Sequence, residues 1–204
     1  MRVSYVSPSS GRAEGGTPLT VHGYGFSSAS ESMGLLTCRI GGAVRRAVWA
    51  SESAIVCNAT RAAAGEARLE VSNNAREYTS DGVQLRLASV RVLDVQPWSG
   101  PLDGATVVSV RAHGAWPGGL RCRFDNASSA VLERYVDESQ LECASPVHSV
   151  GAKAVGVSMN AQQYAPAASS AAAASFTYQP VAAVSWVAPA RALAEGGAPL
   201  TVRG

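Results

Sequence analysis

Four cysteines are the residues of this 204-residue chain whose spacing most clearly indicates chemistry. Cys38 and Cys57 enclose 18 residues, and Cys122 and Cys143 enclose 20. Two pairs of similar span predict one disulfide bond within each pair, the simplest of the three possible connectivities. Each bridge would stabilise the fold by roughly 3 kcal/mol, because it closes a loop of about 20 residues. The alternative is four reduced, buried cysteines in a cytosolic protein.

Two acceptor sequences for N-glycosylation point to the same oxidising compartment as the disulfides. They are Asn-Ala-Thr at residues 58–60 and Asn-Ala-Ser at residues 126–128. We expect Asn126 to lie in a loop that suits a glycan, whereas Asn58 directly follows Cys57 at the end of a strand. Both asparagines are predicted glycosylation sites.

The remaining polar residues predict no catalytic centre and no metal site. The three histidines have no metal-ligand spacing, and neither a nucleophile elbow nor a His-Glu-x-x-His sequence occurs. The cysteines lack the Cys-x-x-Cys spacing of zinc sites. Four carboxylates could suggest calcium but lack an ordered ligand loop. These are Asp125, Asp137, Glu138 and Glu142. We therefore expect a protein that is not an enzyme and binds no cofactor.

Composition narrows the range of partners. The net charge is only +2, and a modest basic cluster of Arg39, Arg45, Arg46 and Arg61 is not dense enough to indicate a nucleic-acid partner. No stretch approaches the roughly 18–20 apolar residues that cross a bilayer, so no membrane insertion is expected in this segment. The N-terminus also lacks the basic and apolar regions of a secretory signal.

One opening motif occurs three times along the chain. Residues 3–8, 92–97 and 184–189 each read Val-x-x-Val-x-Pro, at spacings of 89 and 92 residues. Each motif leads through a Gly-rich turn into a segment of alternating apolar and polar residues. Such self-similarity at a fixed period is the signature of repeated structural units.

The alternation within these segments has a period of two residues, which indicates strands with one buried face. Short strands punctuated by Gly, Pro, Asn and Ser are typical of a β-sandwich. No segment carries a convincing helical pattern. The polar stretch 27–32 and the Ala-rich stretch 171–174 are both expected to be loops.

These residues resemble the IPT/TIG domain, the immunoglobulin-like module shared by plexins, related receptors and some transcription factors. The matching features are the Val-x-Pro opening, the Gly-Gly-Thr turn, the Leu-Thr-Val-x-Gly strand ending at Gly23, and segments 38–42 and 176–178. The second copy departs from the pattern at Ala105, which replaces a turn glycine. The resemblance implies an all-β fold of tandem immunoglobulin-like, E-set type β-sandwiches without catalytic machinery.

The repeats predict the organisation of the chain. Residues 1–88 form a first IPT/TIG repeat, residues 90–180 a second, and residues 181–204 the incomplete start of a third. We therefore expect a fragment of a longer protein, whose last 24 residues are poorly ordered or borrow contacts from the second repeat. The short joints favour a semi-rigid rod.

One variable position in the opening strand is a candidate contact between adjacent repeats. It is occupied by Tyr5, Asp94 and Trp186 in the three copies. A position that changes from Tyr to Asp to Trp is not a core position, so we expect it to be exposed or to lie at the joint.

The function expected from these observations is protein binding, adhesion or spacing in an extracellular or cell-surface protein. Its partner is an unidentified protein, together with the adjacent repeats of the same chain. One alternative is an intracellular, transcription-factor-like module, which requires reduced cysteines. Another is a carbohydrate-binding accessory domain of a secreted enzyme, in which Trp49, Trp98 or Trp116 would stack on sugars.

Overall fold

The computed structural model describes residues 1–128, 133–165, 174–191 and 194–204. Within them the chain is almost entirely β-structure, with twenty strands and one short helix. The strands fall into two complete units and a final hairpin.

The first unit, called repeat 1, is a sandwich of two sheets. A four-stranded sheet has the order β1-β3-β7-β6, and a five-stranded sheet has the order β2-β9-β8-β4-β5. Strand pairs are antiparallel except for β2 with β9. The elements are β1 (Arg2–Ser7), β2 (Ser10–Arg12), β3 (Pro18–Tyr24), α1 (Ser28–Ser32), β4 (Thr37–Ile40), β5 (Ala43–Arg46), β6 (Val48–Ser51), β7 (Ala54–Asn58), β8 (Gly65–Ser72) and β9 (Gln84–Ala88).

The second unit, called repeat 2, has the same topology. Its sheets have the orders β10-β12-β16-β15 and β11-β18-β17-β13-β14. The elements are β10 (Arg91–Gln96), β11 (Ser99–Pro101), β12 (Val107–His113), β13 (Arg121–Phe124), β14 (Ala127–Ser128), β15 (Glu133–Asp137), β16 (Gln140–Ala144), β17 (Gly151–Ser158) and β18 (Ser175–Gln179).

Alternating residues build a separate core between the two sheets of each repeat. Leu19 and Val21 on β3, for example, are fully buried, while Thr20 and His22 between and beside them are only half-buried. The all-β, immunoglobulin-like fold predicted from the sequence is confirmed. The prediction succeeded because period-two patterning leaves a strand only one face to bury.

The final segment contributes a two-stranded hairpin of β19 (Trp186–Ala188) and β20 (Thr201–Arg203), which pair antiparallel. Apolar side chains such as Val184, Leu200 and Val202 remain exposed. The hairpin reproduces the pairing of β1 with β3, without a second sheet to cover it in the described residues.

One sequence expectation for repeat 1 is wrong. The polar stretch 27–32, predicted to be a loop, contains the one-turn helix α1. Its start is stabilised by Ser27, whose side chain accepts a hydrogen bond from the backbone N–H of Ser30. A single capped turn is too short to show a helical pattern. In the second expected loop, residues 171–173 lie outside the described residues.

Candidate interaction surfaces

Two disulfide bonds join the sheets of the sandwiches at equivalent places. Cys38 on β4 is bonded to Cys57 on β7, with their Cα atoms 6.3 Å apart. Cys122 on β13 is bonded to Cys143 on β16, with a Cα separation of 6.2 Å. In each repeat the bridge crosses the buried core from the five-stranded to the four-stranded sheet. It therefore ties together the two layers that present outward-facing surfaces.

The joint between the repeats is short and hydrogen-bonded. Only residues 89 and 90 separate β9 from β10. The Ser10 hydroxyl donates to the backbone carbonyl of Met159 at 3.0 Å, and both residues are buried. The Thr17 hydroxyl donates to the side-chain oxygen of Gln163. Side chains of repeat 1 are thus hydrogen-bonded to the loop that follows β17 in repeat 2.

An aromatic side chain and a carboxylate complete this joint. Trp116 is 8% exposed, and the guanidinium carbon of Arg86 lies 5.6 Å from its ring centroid. The Ser89 hydroxyl donates to the carboxylate of Glu14 at 2.6 Å. This hydrogen bond holds the pKa of Glu14 below its ordinary value, because it favours the ionised form. Val90 packs against the core of repeat 2.

The variable position proposed as an inter-repeat contact pairs across strands inside each repeat. The Tyr5 ring stacks on His22 at 4.4 Å between centroids, and Asp94 forms an ion pair with Arg111. Trp186 lies against Arg203 on β20, with 5.5 Å from the guanidinium carbon to the ring centroid.

Of the three, Tyr5 also borders the cleft between the repeats, on whose other wall Trp116 lies. The described contacts of Asp94 and Trp186 lie within their own repeats. The hydrogen bonds that hold the joint come instead from Ser10 and Thr17. Sequence patterns could not single these residues out, since serine and threonine are common in any sandwich.

In repeat 1 the outward face of the five-stranded sheet is charged. Glu66 and Arg68 on β8 point outward, and Glu70 and Arg39 form an ion pair across β8 and β4. Arg86 on β9 lies beside Glu66, with 3.9 Å between nitrogen and oxygen. Arg39, from the predicted basic cluster, is therefore neutralised by a carboxylate neighbour.

In repeat 2 the charges lie on the other sheet. Its four-stranded sheet carries the ion pairs Asp94–Arg111 and Arg134–Glu142, at 3.2 and 2.7 Å. The corresponding rows of repeat 1 are uncharged. These rows are Tyr5–His22–Ala54, Ser7–Thr20–Val56–Val48 and Pro18–Asn58.

On the five-stranded sheets the distribution of outward charge is reversed, with more charged residues in repeat 1 than in repeat 2. Where repeat 1 has its outward Glu66, Arg68, Glu70 and Arg86, repeat 2 has small uncharged residues. The equivalent positions are Ala152, Ala154, Gly156 and Thr177. Charge in repeat 2 is retained at the β13 edge, where Arg121 pairs with Glu133 and Arg123 lies over Tyr164.

A cleft at the joint shows how these faces are arranged along the chain. It is bordered by Arg86 and Ala88 from the charged face of repeat 1, and by Arg91, Leu93 and His113 from the charged sheet of repeat 2. Both charged faces therefore meet on one side of the joint, here called the charged side.

Three tryptophans considered for sugar binding differ in accessibility. Trp98 is 64% exposed. Trp49 is half-buried and donates from its ring nitrogen to the carbonyl of Phe26. Trp116 is buried in the joint, so the expectation that its ring is free to stack on a sugar is wrong. The Trp116 ring instead lies against the Arg86 guanidinium and packs with the core of repeat 2.

Carboxylates and histidines are scattered over the surface. Asp137 accepts hydrogen bonds from Ser139, which hold its pKa below the ordinary value. Glu142 is paired with Arg134, and Asp125 and Glu138 are exposed. Over the ranges that the structure describes, no group of three or more His, Cys, Asp or Glu residues could hold a metal ion.

The geometry of two like sandwiches agrees with the family comparison. The model of the IPT/TIG domain matches residues 1–86 and again residues 91–178. The chain belongs to this family. Its IPT/TIG repeats therefore account for most of the sequence, and no curated protein sequence matches it.

Two solved structures of the plexin A4 extracellular region are similar in fold to this chain. One, of the full extracellular region, has a TM-score of 0.58 at 17% identity and covers 92% of this chain. A second has a TM-score of 0.51 at 17% identity and covers 87%. The chain spans only 16% and 18% of those two structures. This likeness concerns the fold. Among the described residues, no helix has the length and apolar character to span a membrane.

Proposed function

We propose that this chain is a disulfide-bonded, non-catalytic segment of a larger extracellular or cell-surface protein. Its two complete repeats act as a stiff spacer that presents the charged side to a protein partner. The two buried bridges support an oxidising compartment, because disulfides persist there and are rare in the cytosol. The plexin A4 extracellular regions offer a fold-level analogy.

The observation that carries the proposal is the joint. Two connecting residues, two side-chain hydrogen bonds and the buried Trp116 leave little freedom for one repeat to turn against the other. A fixed joint keeps both charged faces on one side, so a partner can contact two repeats at once. A flexible joint would make each face an independent, smaller surface.

The domain boundaries are part of this proposal. Repeat 1 comprises residues 1–88, repeat 2 comprises residues 90–180, and residues 181–204 begin a third repeat. Each complete repeat has its own buried cluster and its own bridge. These are the properties of units that can be stacked in series.

Stiffness can be tested by NMR on the full chain in an aligning medium. Residual dipolar couplings should give the same alignment tensor for repeat 1 and repeat 2. Ser10→Ala combined with Thr17→Val should make the tensors differ, because both hydrogen bonds to repeat 2 are lost. Thr20→Val, on an outward position away from the joint, is the control. Different tensors in the unaltered chain would rule out a stiff spacer.

The compartment can be tested by counting thiols after expression in an oxidising compartment. Alkylation with and without reductant, followed by peptide mapping, should show Cys38 bridged to Cys57 and Cys122 to Cys143. Four free thiols would contradict the extracellular proposal and favour the intracellular alternative.

A further inference from the structure

The five asparagines of the chain separate into two groups by their contacts. The side chains of Asn73, Asn74 and Asn160 are engaged in hydrogen bonds that shape the loops after β8 and β17. Asn58 and Asn126 are exposed, and no side-chain hydrogen bond is described for either. The two asparagines with free amides are the two that begin an Asn-x-Ser/Thr acceptor sequence.

A buried hydroxyl in the first acceptor sequence is not engaged in hydrogen bonding among the described residues. Thr60 is 8% exposed, and its hydroxyl has no hydrogen-bond partner within the described chain. Burying a hydroxyl without a partner destabilises a fold, so a valine of the same shape would suit this position better. The acceptor sequence supplies a chemical reason for the hydroxyl, because it is recognised before the repeat folds.

The two acceptor asparagines lie in different sheets of their repeats. Asn58 points outward from the end of β7 and pairs with Pro18 on the uncharged face of repeat 1. Asn126 lies in the two-residue turn between β13 and β14, in the five-stranded sheet that carries the small outward residues of repeat 2. The charged cleft is bordered by the other sheet of each repeat.

We propose that Asn58 and Asn126 carry N-linked glycans and that the glycan on Asn58 shields the uncharged outward face of the four-stranded sheet of repeat 1. The co-reactant is a lipid-diphosphate-linked oligosaccharide. The amide nitrogen forms a bond to the anomeric carbon of the first sugar, whose bond to the diphosphate breaks. The lipid diphosphate leaves with that electron pair, and the amide loses one proton to a base of the transferase.

This inference rests on the extracellular assignment, and the chemistry predicts which surface is covered. A glycan on Asn58 starts beside Val56, Thr20 and Pro18, so its sugars can lie over uncharged rows that reach Tyr5. Apolar sugar faces pack well on exposed apolar and aromatic side chains, of which Tyr5 is 56% exposed. The glycan thereby occupies a face that otherwise has no partner in the described residues.

Occupancy is tested by secreting the full chain from a eukaryotic cell line and measuring intact mass before and after peptide N-glycosidase treatment. Two glycans are expected. Asn58→Gln and Asn126→Gln should each lose one. Thr60→Val should also lose the glycan at Asn58. After enzymatic deglycosylation, the thermal midpoint of Thr60→Val should equal or exceed that of the deglycosylated unaltered chain. A bridged chain with unmodified mass overturns the glycan inference alone. An unmodified chain with four free thiols overturns the extracellular proposal as well.

Coverage is tested by nitration of Tyr5 in the glycosylated protein and in Asn58→Gln. Tyr5 should react several-fold faster in the variant, whereas Tyr164 in repeat 2 should react equally in both. Equal rates at Tyr5 would show that the glycan does not cover this face.

Discussion

Repeat 1 and repeat 2 share one strand order but fill the space between their sheets differently. In repeat 1 three equivalent positions on the five-stranded sheet are aliphatic: Ile40, Leu85 and Leu87. In repeat 2 they are Phe124, Phe176 and Tyr178, all fully buried. The aromatic rings meet edge to face, with centroids 4.9 to 6.3 Å apart.

Repeat 2 also has smaller buried residues than repeat 1 at other positions of its core. Phe26 in repeat 1 corresponds to Ala115 in repeat 2, and Leu19 corresponds to Val108. Gly100 also lies against Phe176, leaving no space for a Cβ. The shared topology therefore requires a core filled to a suitable volume, whereas the positions that supply the large or aromatic side chains can differ between repeats.

The largest expected effect comes from emptying the aromatic core. Phe124→Ala should destabilise repeat 2 by about 3–5 kcal/mol, because it removes a buried ring and leaves a cavity. Ile40→Ala is the matched change in repeat 1. Hydrogen exchange measured by mass spectrometry in increasing urea separates the two repeats. If Phe124→Ala weakened both repeats equally, the cores would not be independent.

The next effect is a dependence on alkaline pH that only repeat 2 should show. Burial raises the pKa of Tyr178 to about 12, against a smaller opposing effect from Ser145. Well below pH 10 both the folded and the unfolded chain keep the phenol proton, so the buried Tyr178 causes no pH dependence of stability there. Between pH 10 and pH 12 only the unfolded chain loses it, so stability falls by up to roughly 3 kcal/mol.

The measurement for this prediction is urea denaturation between pH 9 and pH 12, followed separately in each repeat. Tyr178→Phe is the control, because it keeps the buried ring and removes the titrating group. An equal decline in Tyr178→Phe would show that another group causes the pH dependence. Leu87 occupies the same position in repeat 1 and has no titrating group, so the stability of repeat 1 should not show this decline.

A third effect concerns the room made for the aromatic rings. Gly100→Ala would place a Cβ 2.7 Å from the ring of Phe176 and 2.5 Å from the hydroxyl of Thr106. We expect a loss of about 1–3 kcal/mol from overpacking. Gly11→Ala in repeat 1 meets only Thr17, at 3.0 Å, and should lose less.

Thermal melts followed by hydrogen exchange would measure both glycine variants. Adding Phe176→Leu to Gly100→Ala should recover part of the loss, since it removes the ring, one of the two groups that the added Cβ would overlap. If the stability loss of the double variant equalled the sum of the losses of Gly100→Ala and Phe176→Leu, the two sites would be uncoupled.

The smallest effect lies on the surface. Arg134→Ala removes the ion pair with Glu142 and should cost less than about 1 kcal/mol, since exposed pairs are weak. The difference should disappear near 1 M salt, which screens it. Val48→Ala, at the equivalent position of repeat 1, should give a small change that salt does not alter. A salt-dependent Val48→Ala would contradict the assignment of an uncharged face.

Local patterns predicted most of the fold. Leu19, Val21 and their counterparts in repeat 2 alternate with polar residues because each strand has one buried face, and this requirement is readable within a few residues. Helix α1 was missed because its five residues, four of them polar, carry no hydrophobic period. Ser10 and Thr17 were missed because their partners lie 149 and 146 residues away.

The amino-acid sequence was sufficient to predict the repeated all-β sandwiches, since strand alternation and the threefold opening motif are local properties of the chain. It also placed the four cysteines and the two acceptor asparagines at definite positions in those units. Three features required the three-dimensional structure: the charged faces meet on one side of the joint, Trp116 is buried in the joint, and Thr60 has a buried, unpartnered hydroxyl. The physical reason is that the rotation between repeats depends on side-chain contacts across the joint, which have no period along the sequence.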